Sequence, residues 1–365
     1  MLRLESRPQP SKAMSIASPL LALAITVVIG SVLFALLGKD PIRGLQVFFV
    51  EPVRSSYALS ELAMKATPLI LIALGLAVCF RSNVWNIGAE GQFVFGAIFA
   101  GYVAMQAGPA TGGWIVIAVL AAGVLGGMVW AGVVALLRDR CNANEILVSL
   151  MLVYVAELVL GYLVYGPWKD PAGYNFPQTI TFLESTQVPR LFGGNLRVNV
   201  GLVLALAAVA ACWVLLFRTY AGFQLQVGGL APAAARYAGF SSRRALWTAL
   251  LLSGAMAGLA GALEVAGPLG QLTPHVPAGY GFAAIIVAFV GRLHPLGIVF
   301  SAVLMSMFYI GGELAQSRLG LPKSLTGVFQ GLLLFTLLAC DTLIHYRVRW
   351  TARRAQRATP QAGKA

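Results

Sequence analysis

Charge is what this sequence has least of. Asp, Glu, Lys and Arg make up 11% of its 365 residues, against about 25% in a soluble domain. So few charges cannot cover a water-facing surface, which excludes an ordinary soluble enzyme or binding domain. Lysine is scarce, and no G-x-x-x-x-G-K-[ST] run occurs. The chain therefore lacks the loop that cradles nucleotide phosphates, and no stretch outside the apolar runs is large enough for a nucleotidase domain. The three histidines, His275, His294 and His345, are too scattered for a metal site. The four cysteines, Cys79, Cys141, Cys212 and Cys340, show no CxxC spacing and read as reduced packing residues. No metal, no cofactor and no catalytic residue is expected, because clustered His, Asp or Cys are missing.

Apolar sequence is what the chain has in excess, at 58% hydrophobic residues. A spanning helix needs roughly 20 apolar residues in a row. Segments 20–38, 113–137, 198–217 and 245–263 qualify without one charged side chain. Shorter or once-interrupted runs follow at 66–80, 91–110, 146–168, 276–291, 293–312 and 324–340. The expected fold is all-α, a polytopic membrane bundle of about ten spans over 20–343. A polar leader, 1–19, precedes it and a basic tail, 344–365, follows. The leader resembles the start of a signal peptide, but its apolar stretch is too long and no small-x-small cleavage site follows, so a retained first helix is expected.

The net charge of +13 reads as topology rather than nucleic-acid binding. With the N-terminus inside and ten spans threaded, seventeen Lys/Arg fall inside and nine outside. The opposite threading reverses that bias, so both ends are expected in the cytoplasm. The tail would then lie against anionic headgroups. The link 39–65 and an insert at 166–197 fall outside. The insert carries Pro167, Pro171, Pro177, Pro189 and Gly193-Gly194, which predicts an ordered loop or short hairpin. The largest internal loop before the tail is 218–244. Gly123/Gly127, Gly254/Gly258 and Gly327/Gly331 have the GxxxG spacing that lets helices approach in lipid.

Several segments break the apolar pattern. After 66–80, which is short for a span, comes Asn83-Val84-Trp85-Asn86-Ile87-Gly88-Ala89-Glu90-Gly91-Gln92. Irregular backbone at membrane depth survives only where protein or a wet cavity satisfies it, and interrupted helices point to solute sites in transporters. Asn86, Glu90 and Gln92 are therefore candidates for lining or gating a pathway. The alternative is that Asn86 or Asn83 caps the next helix, with Glu90 in its first turn. Asn144 and Glu145 form a second candidate pair, with the same capping alternative. Glu157 falls within a span and is a pathway or gating candidate; Glu264 lies near an outer end, within reach of headgroups. Trp85, Phe93 and Phe95 could stack a base or simply pack. In the internal loop, Pro232 stands where a helix begins and Gly239 where one stops. This predicts a helix of about two turns on the inner face.

These segments carry a family resemblance. Asn86-Ile87-Gly88-Ala89-Glu90-Gly91-Gln92 resembles the NIGAEGQ motif of ABC-importer permeases of the branched-chain amino acid, ribose and nucleoside group. Gly229-Leu230-Ala231-Pro232-Ala233-Ala234-Ala235-Arg236-Tyr237-Ala238-Gly239 resembles their ATPase-coupling loop. Leu252-Ser253-Gly254-Ala255-Met256-Ala257-Gly258-Leu259-Ala260-Gly261, and Gly281-Phe282 through Gly291-Arg292-Leu293-His294-Pro295-Leu296-Gly297, resemble two further family segments, in order. Asn144-Glu145-Ile146-Leu147 and the proline-rich insert favour the simple-sugar/nucleoside branch.

The resemblance implies a type II-like importer permease working by alternating access, with Pro232, Ala234, Ala235, Arg236 and Gly239 in the coupling helix. It implies as partners an ATP-binding cassette subunit with two cassettes, a second and different permease subunit, and an extracytoplasmic substrate-binding lipoprotein. Ala231 stands where family members often carry a capping Asn, so that position is not expected to be essential. The rival reading is an ion-coupled secondary transporter of a small polar solute, with Glu90 or Glu157 carrying a proton.

Overall fold

The computed structural model describes residues 2–6, 12–108, 112–193 and 196–350. Within the expected leader, 7–11 lie outside the described residues, as do Gly194 of the insert and the tail beyond Trp350, with Arg353, Arg354, Arg357 and Lys364. The chain divides into two compact units, 1–41 with 331–365, and 42–330.

The first unit holds α1 (Lys12–Leu36), most of α13 (Ser324–His345), and two strands, β1 (Leu2–Ser6) and β2 (Tyr346–Trp350). Both helices are apolar, so their few hydroxyls turn to backbone. Thr26 Oγ1 donates to Ala22 O at 2.8 Å and sits 3.1 Å from Thr336 Oγ1, which donates to Leu332 O at 2.7 Å. Ser18 donates to the Asp341 carboxylate. The strands pair antiparallel, from Leu2 opposite Trp350 to Ser6 opposite Tyr346. Each thus satisfies the other's backbone groups. This ribbon brings the start of α1 and the end of α13 to one side. Apart from it the fold is helical, as expected.

The second unit contains α2 (Pro41–Leu45), α3 (Ser56–Arg81), α4 (Ala89–Gln106), α5 (Ile115–Cys141), α6 (Glu145–Tyr165), α7 (Val200–Arg218), α8 (Tyr220–Leu230), α9 (Pro232–Tyr237), α10 (Ser242–Glu264), α11 (Tyr280–Val290) and α12 (Pro295–Leu319). Among the described residues of the chain, eight helices are long and apolar enough to cross a bilayer. They account for eight of the ten expected runs. The other two are α4, whose first turn is polar, and α11, whose 11 residues span about 16 Å. That is roughly half a hydrocarbon core of about 30 Å.

The run at 66–80 is not a short span. It belongs to the 26-residue α3, which starts at Ser56. The Ser55 hydroxyl caps that start, accepting from Ala58 N at 3.1 Å. Glu61 and Lys65 look like span-breaking charges in the sequence. In the structure they lie on the helix, paired with Arg197 at 3.2 Å and Glu313 at 3.4 Å. From Ala66 to Cys79 every residue of α3 is buried, which makes it the bundle's axis.

Glycines set how closely α10 approaches α4 and α5. A methyl on Gly254 would lie 2.5 Å from Gly127 O. One on Gly258 would strike Gly123 O, and one on Gly96 would strike Gly258. Two of the three GxxxG pairs therefore form real crossings. The third does not: a methyl on Gly327 or Gly331 would meet nothing within 4 Å. Spacing shows that close approach is permitted, not that a neighbour is there.

Among its described residues, the insert after α6 is a loop whose only helical turn is Glu184–Thr186. Its backbone bonds to the chain beyond α10, with Thr179 N donating to Leu272 O at 3.0 Å and Val188 N to Ala266 O at 2.7 Å. All four cysteines are free thiols. Cys79, Cys212 and Cys340 are buried, whereas Cys141 is exposed at the end of α5 and so does not pack as expected.

Candidate functional site

The break after α3 carries the site. The chain leaves α3 at Arg81 and turns through Asn83, which holds the left-handed conformation at φ 55°. It then runs irregularly to Gly88, where α4 begins. Trp85 is fixed against Phe80 and Phe289, at 5.3 and 6.4 Å between ring centres. The side chain of Asn86 then turns inward. Its Nδ2 donates to Gln92 Oε1 and to Ser253 Oγ of α10, both at 3.0 Å. Its Oδ1 accepts from Gly88 N and from Gln92 Nε2, both at 3.1 Å. Asn86 and Gln92 are fully buried, and their amides are mutually paired, as buried polar groups must be.

Glu90 reaches across to a different helix. Its carboxylate accepts from Gly279 N at 2.8 Å and from Gly281 N. These N–H groups belong to the start of α11, where no intrahelical carbonyl is available. Gly279, at φ 78°, is the left-handed residue that opens α11. Glu90 therefore lies in the first turn of α4 while capping the first turn of α11, where both helix dipoles favour a negative group. The two helix starts touch: a methyl on Gly281 would strike the Glu90 backbone. The capping alternative holds in altered form. Neither Asn83 nor Asn86 occupies the N-cap position of α4, which is Gly88 without a side-chain cap, although Asn86 does bind Gly88 N.

The other candidates are dispersed. Asn144 caps α6, accepting from Ile146 N at 2.9 Å, and Glu145 pairs with Arg138 at 3.2 Å. One turn on, Ser149 accepts from Ile87 N at 3.2 Å, so the start of α6 rests on the break without its two polar residues joining Asn86. Glu157 is half-buried further along α6 and makes no hydrogen bond or ion pair among the described residues. The aromatic candidates already have protein partners. Phe95 stacks on Trp130 at 3.6 Å, and Phe93 meets Tyr280 at 5.8 Å.

Below the break lies the arm formed by α8 and α9. The short helix expected at Pro232 is α9, which ends at Tyr237, and the chain turns away at Gly239 with φ 79°. Ala231 gives it no side-chain cap. Pro232, Ala234, Arg236 and Gly239 are exposed, whereas Ala235 is buried. Tyr237 is 97% and Leu230 86% exposed. At the root of the arm, Gly229 lies flat on the turn that ends α3. A methyl there would sit 2.9 Å from the Ser82 carbonyl carbon, 3.0 Å from Asn83 N, and closer still to Arg81 O.

The full residue pattern can now be set beside known proteins. Residues 58–338 match the family described as the branched-chain amino acid transport system / permease component. The chain belongs to this family of ABC-importer permeases. Over 356 residues the permease is 33% identical to a glucose ABC transporter permease of Haloferax volcanii, covering 95% of this chain and 93% of that one. It is 25% identical to a nucleoside ABC transporter permease of Lactococcus lactis, with 97% and 99% covered. It is 28% identical to a guanosine ABC transporter permease of Bacillus subtilis, with 85% and 89% covered.

Sequence reading alone missed the residues that bind the permease's break to its surroundings. Arg81 is the main one. Its Nε donates to Leu293 O at 2.9 Å and its Nη1 to Gln226 Oε1 of α8 at 3.2 Å. Its guanidinium lies 5.0 Å from the centre of the Phe217 ring. Read as one of seventeen inside charges, Arg81 is in fact the joint between α3, α7, α8 and the α11–α12 turn. Ser149 and Gly279 were hidden for the same reason, and Ser253 and Gly281, though they stand in family-like segments, showed no partner, because each bonds to a residue far away in sequence. Gly228-Gly229 was the one visible hint, a pair of small residues beside the expected helix.

Proposed function

We propose that the permease imports a nucleoside or related simple sugar across the cytoplasmic (inner) membrane by alternating access. ATP is hydrolysed in partner cassettes, on the family pattern a double-cassette subunit. A second, different permease subunit completes the pathway, and an extracytoplasmic lipoprotein delivers the solute. Both termini lie in the cytoplasm, which the inside bias of Lys/Arg and the side-by-side ends of the β1–β2 ribbon support. Glucose, nucleoside and guanosine permeases among the relatives support the solute class.

The observation that carries this reading is the backbone contact of Gly229 with Arg81–Asn83. A push on the exposed α9 reaches the break directly, because no flexible side chain lies between. From there the chain is stiff: Trp85 is stacked, Asn86 is bonded to α4 and α10, and Glu90 is bonded to α11. Displacement of the turn must therefore shift α4 against α11. Asn86, Glu90 and Gln92 act as the gate's hinge. Asn144 and Glu145 set the start of α6 against it, and Glu157 faces the pathway. Proton carriage by Glu90 is disfavoured, since both its oxygens accept backbone N–H groups and protonation would remove an acceptor from a buried site.

The test is competition for uptake. The permease is reconstituted with its ATPase, second permease and binding protein, and labelled nucleoside is supplied. Uptake blocked by unlabelled nucleosides or simple sugars, but not by leucine, is expected. Uptake blocked by leucine and indifferent to nucleosides and sugars contradicts the assignment.

A further inference from the structure

Beside the arm lies an open cavity of about 980 Å³, at the upper end of the roughly 300–1,000 Å³ usual for small-molecule sites. Its walls come from α7, α8, α9, α10, Met128 of α5 and the turn at Ser82 and Val84. They are mostly apolar, with Leu225, Leu251 and Leu252 among them, and no carboxylate takes part. Two guanidiniums do, those of Arg236 and Arg244. Neither makes an ion pair or hydrogen bond through its side chain among the described residues, although the neighbouring Arg243 is paired with Asp139 at 2.7 Å and Arg138 with Glu145. Two unpaired cations at one end of an apolar cleft call for an amphiphilic anion.

The dimensions agree. Arg244 lies in the first turn of α10 and Ala255, which also lines the cavity, lies 11 residues further on, about 16 Å along the helix. One leaflet of hydrocarbon is about 15 Å deep. Basic pockets between spanning helices attract lipid phosphates, and the other polar side chains of the wall, Ser82, Gln224, Ser241, Ser242 and Thr248, are uncharged, which leaves the two guanidiniums as its only charges.

We propose that this cavity holds one anionic phospholipid, its phosphate between Arg236 and Arg244 and an acyl chain along α10 towards Ala255. Such a lipid would wedge the arm that Gly229 seats on the break, making the arm's freedom depend on the composition of the adjacent leaflet.

The test reads retained lipid, not transport, so it stands or falls independently of the solute assignment. The assembled transporter is equilibrated in mixed micelles with equal phosphatidylglycerol and phosphatidylcholine, and bound lipid is extracted and counted. The proposal expects phosphatidylglycerol to be retained at least tenfold over phosphatidylcholine. Arg244→Gln should cut that preference about tenfold, and Leu251→Trp, which fills the cleft, should lower retention of both lipids. ATP hydrolysis by each variant serves as the folding control. Equal retention of the two lipids, or an unchanged preference in Arg244→Gln, overturns the proposal. So does full displacement by inorganic phosphate, which would make this a site for the free anion. Lipid held by the lone permease but absent from the assembly would mean that a partner covers the cleft, and also overturns it.

Discussion

Glu90 is the residue on which the break turns, because its carboxylate joins the starts of two helices. Replacing it with Gln keeps the shape but puts an amide N–H opposite Gly279 N or Gly281 N. One buried donor then loses its acceptor, which costs about 1–3 kcal/mol. For Glu90→Gln we predict a lower thermal midpoint of the detergent-solubilised permease and slower uptake. Glu157→Gln should leave the midpoint where it was, since Glu157 has no partner to lose among the described residues. Equal midpoints for wild type and Glu90→Gln would remove Glu90 from the junction. The polar character of this spot was legible in the sequence, because Asn86, Glu90 and Gln92 interrupt apolar runs. Their partners were not. Gly279 and Gly281 stand 189 and 191 residues away and Ser253 stands 167 from Asn86, and local spacing carries no information about such pairings.

Among the elements, the proposed function makes the arm of α8 and α9 the transmitter and the break the receiver. Gly229 is small because the Arg81–Asn83 backbone occupies the space a side chain would need. Gly229→Val must lift the arm off the turn or displace the turn itself. We predict that this variant still assembles with its ATPase and hydrolyses ATP, while uptake falls more than tenfold. Hydrolysis and uptake reduced by the same factor would show that the contact is not a coupling joint. Most helices were legible from their runs, because lipid demands about 20 apolar residues in each span. Two were misjudged for physical reasons. α3 looked short because Glu61 and Lys65 read as ends, whereas ion pairs let them sit on a helix. α11 looked like a full span because apolar loop and half-length helix have the same composition. The short helix α9 was legible from Pro232 and Gly239, but the seat of Gly229 on the break was not.

The permease as a whole is a pathway without an engine. It has no phosphate-binding loop, and at the junction Asn86, Gln92 and both oxygens of Glu90 are held by hydrogen bonds. The β1–β2 ribbon puts the start of α1 and the end of α13 side by side, and Tyr237 and Leu230 are exposed on the arm. Under the proposed function, work enters from an ATPase partner that docks on this arm. The most direct measurement is uptake into proteoliposomes holding the permease with its ATPase, second permease and binding protein. ATP on the side of Tyr237, with no ion gradient, should drive accumulation that a protonophore does not diminish. Accumulation driven by a proton or sodium gradient without ATP, and abolished by dissipating that gradient, would contradict the account.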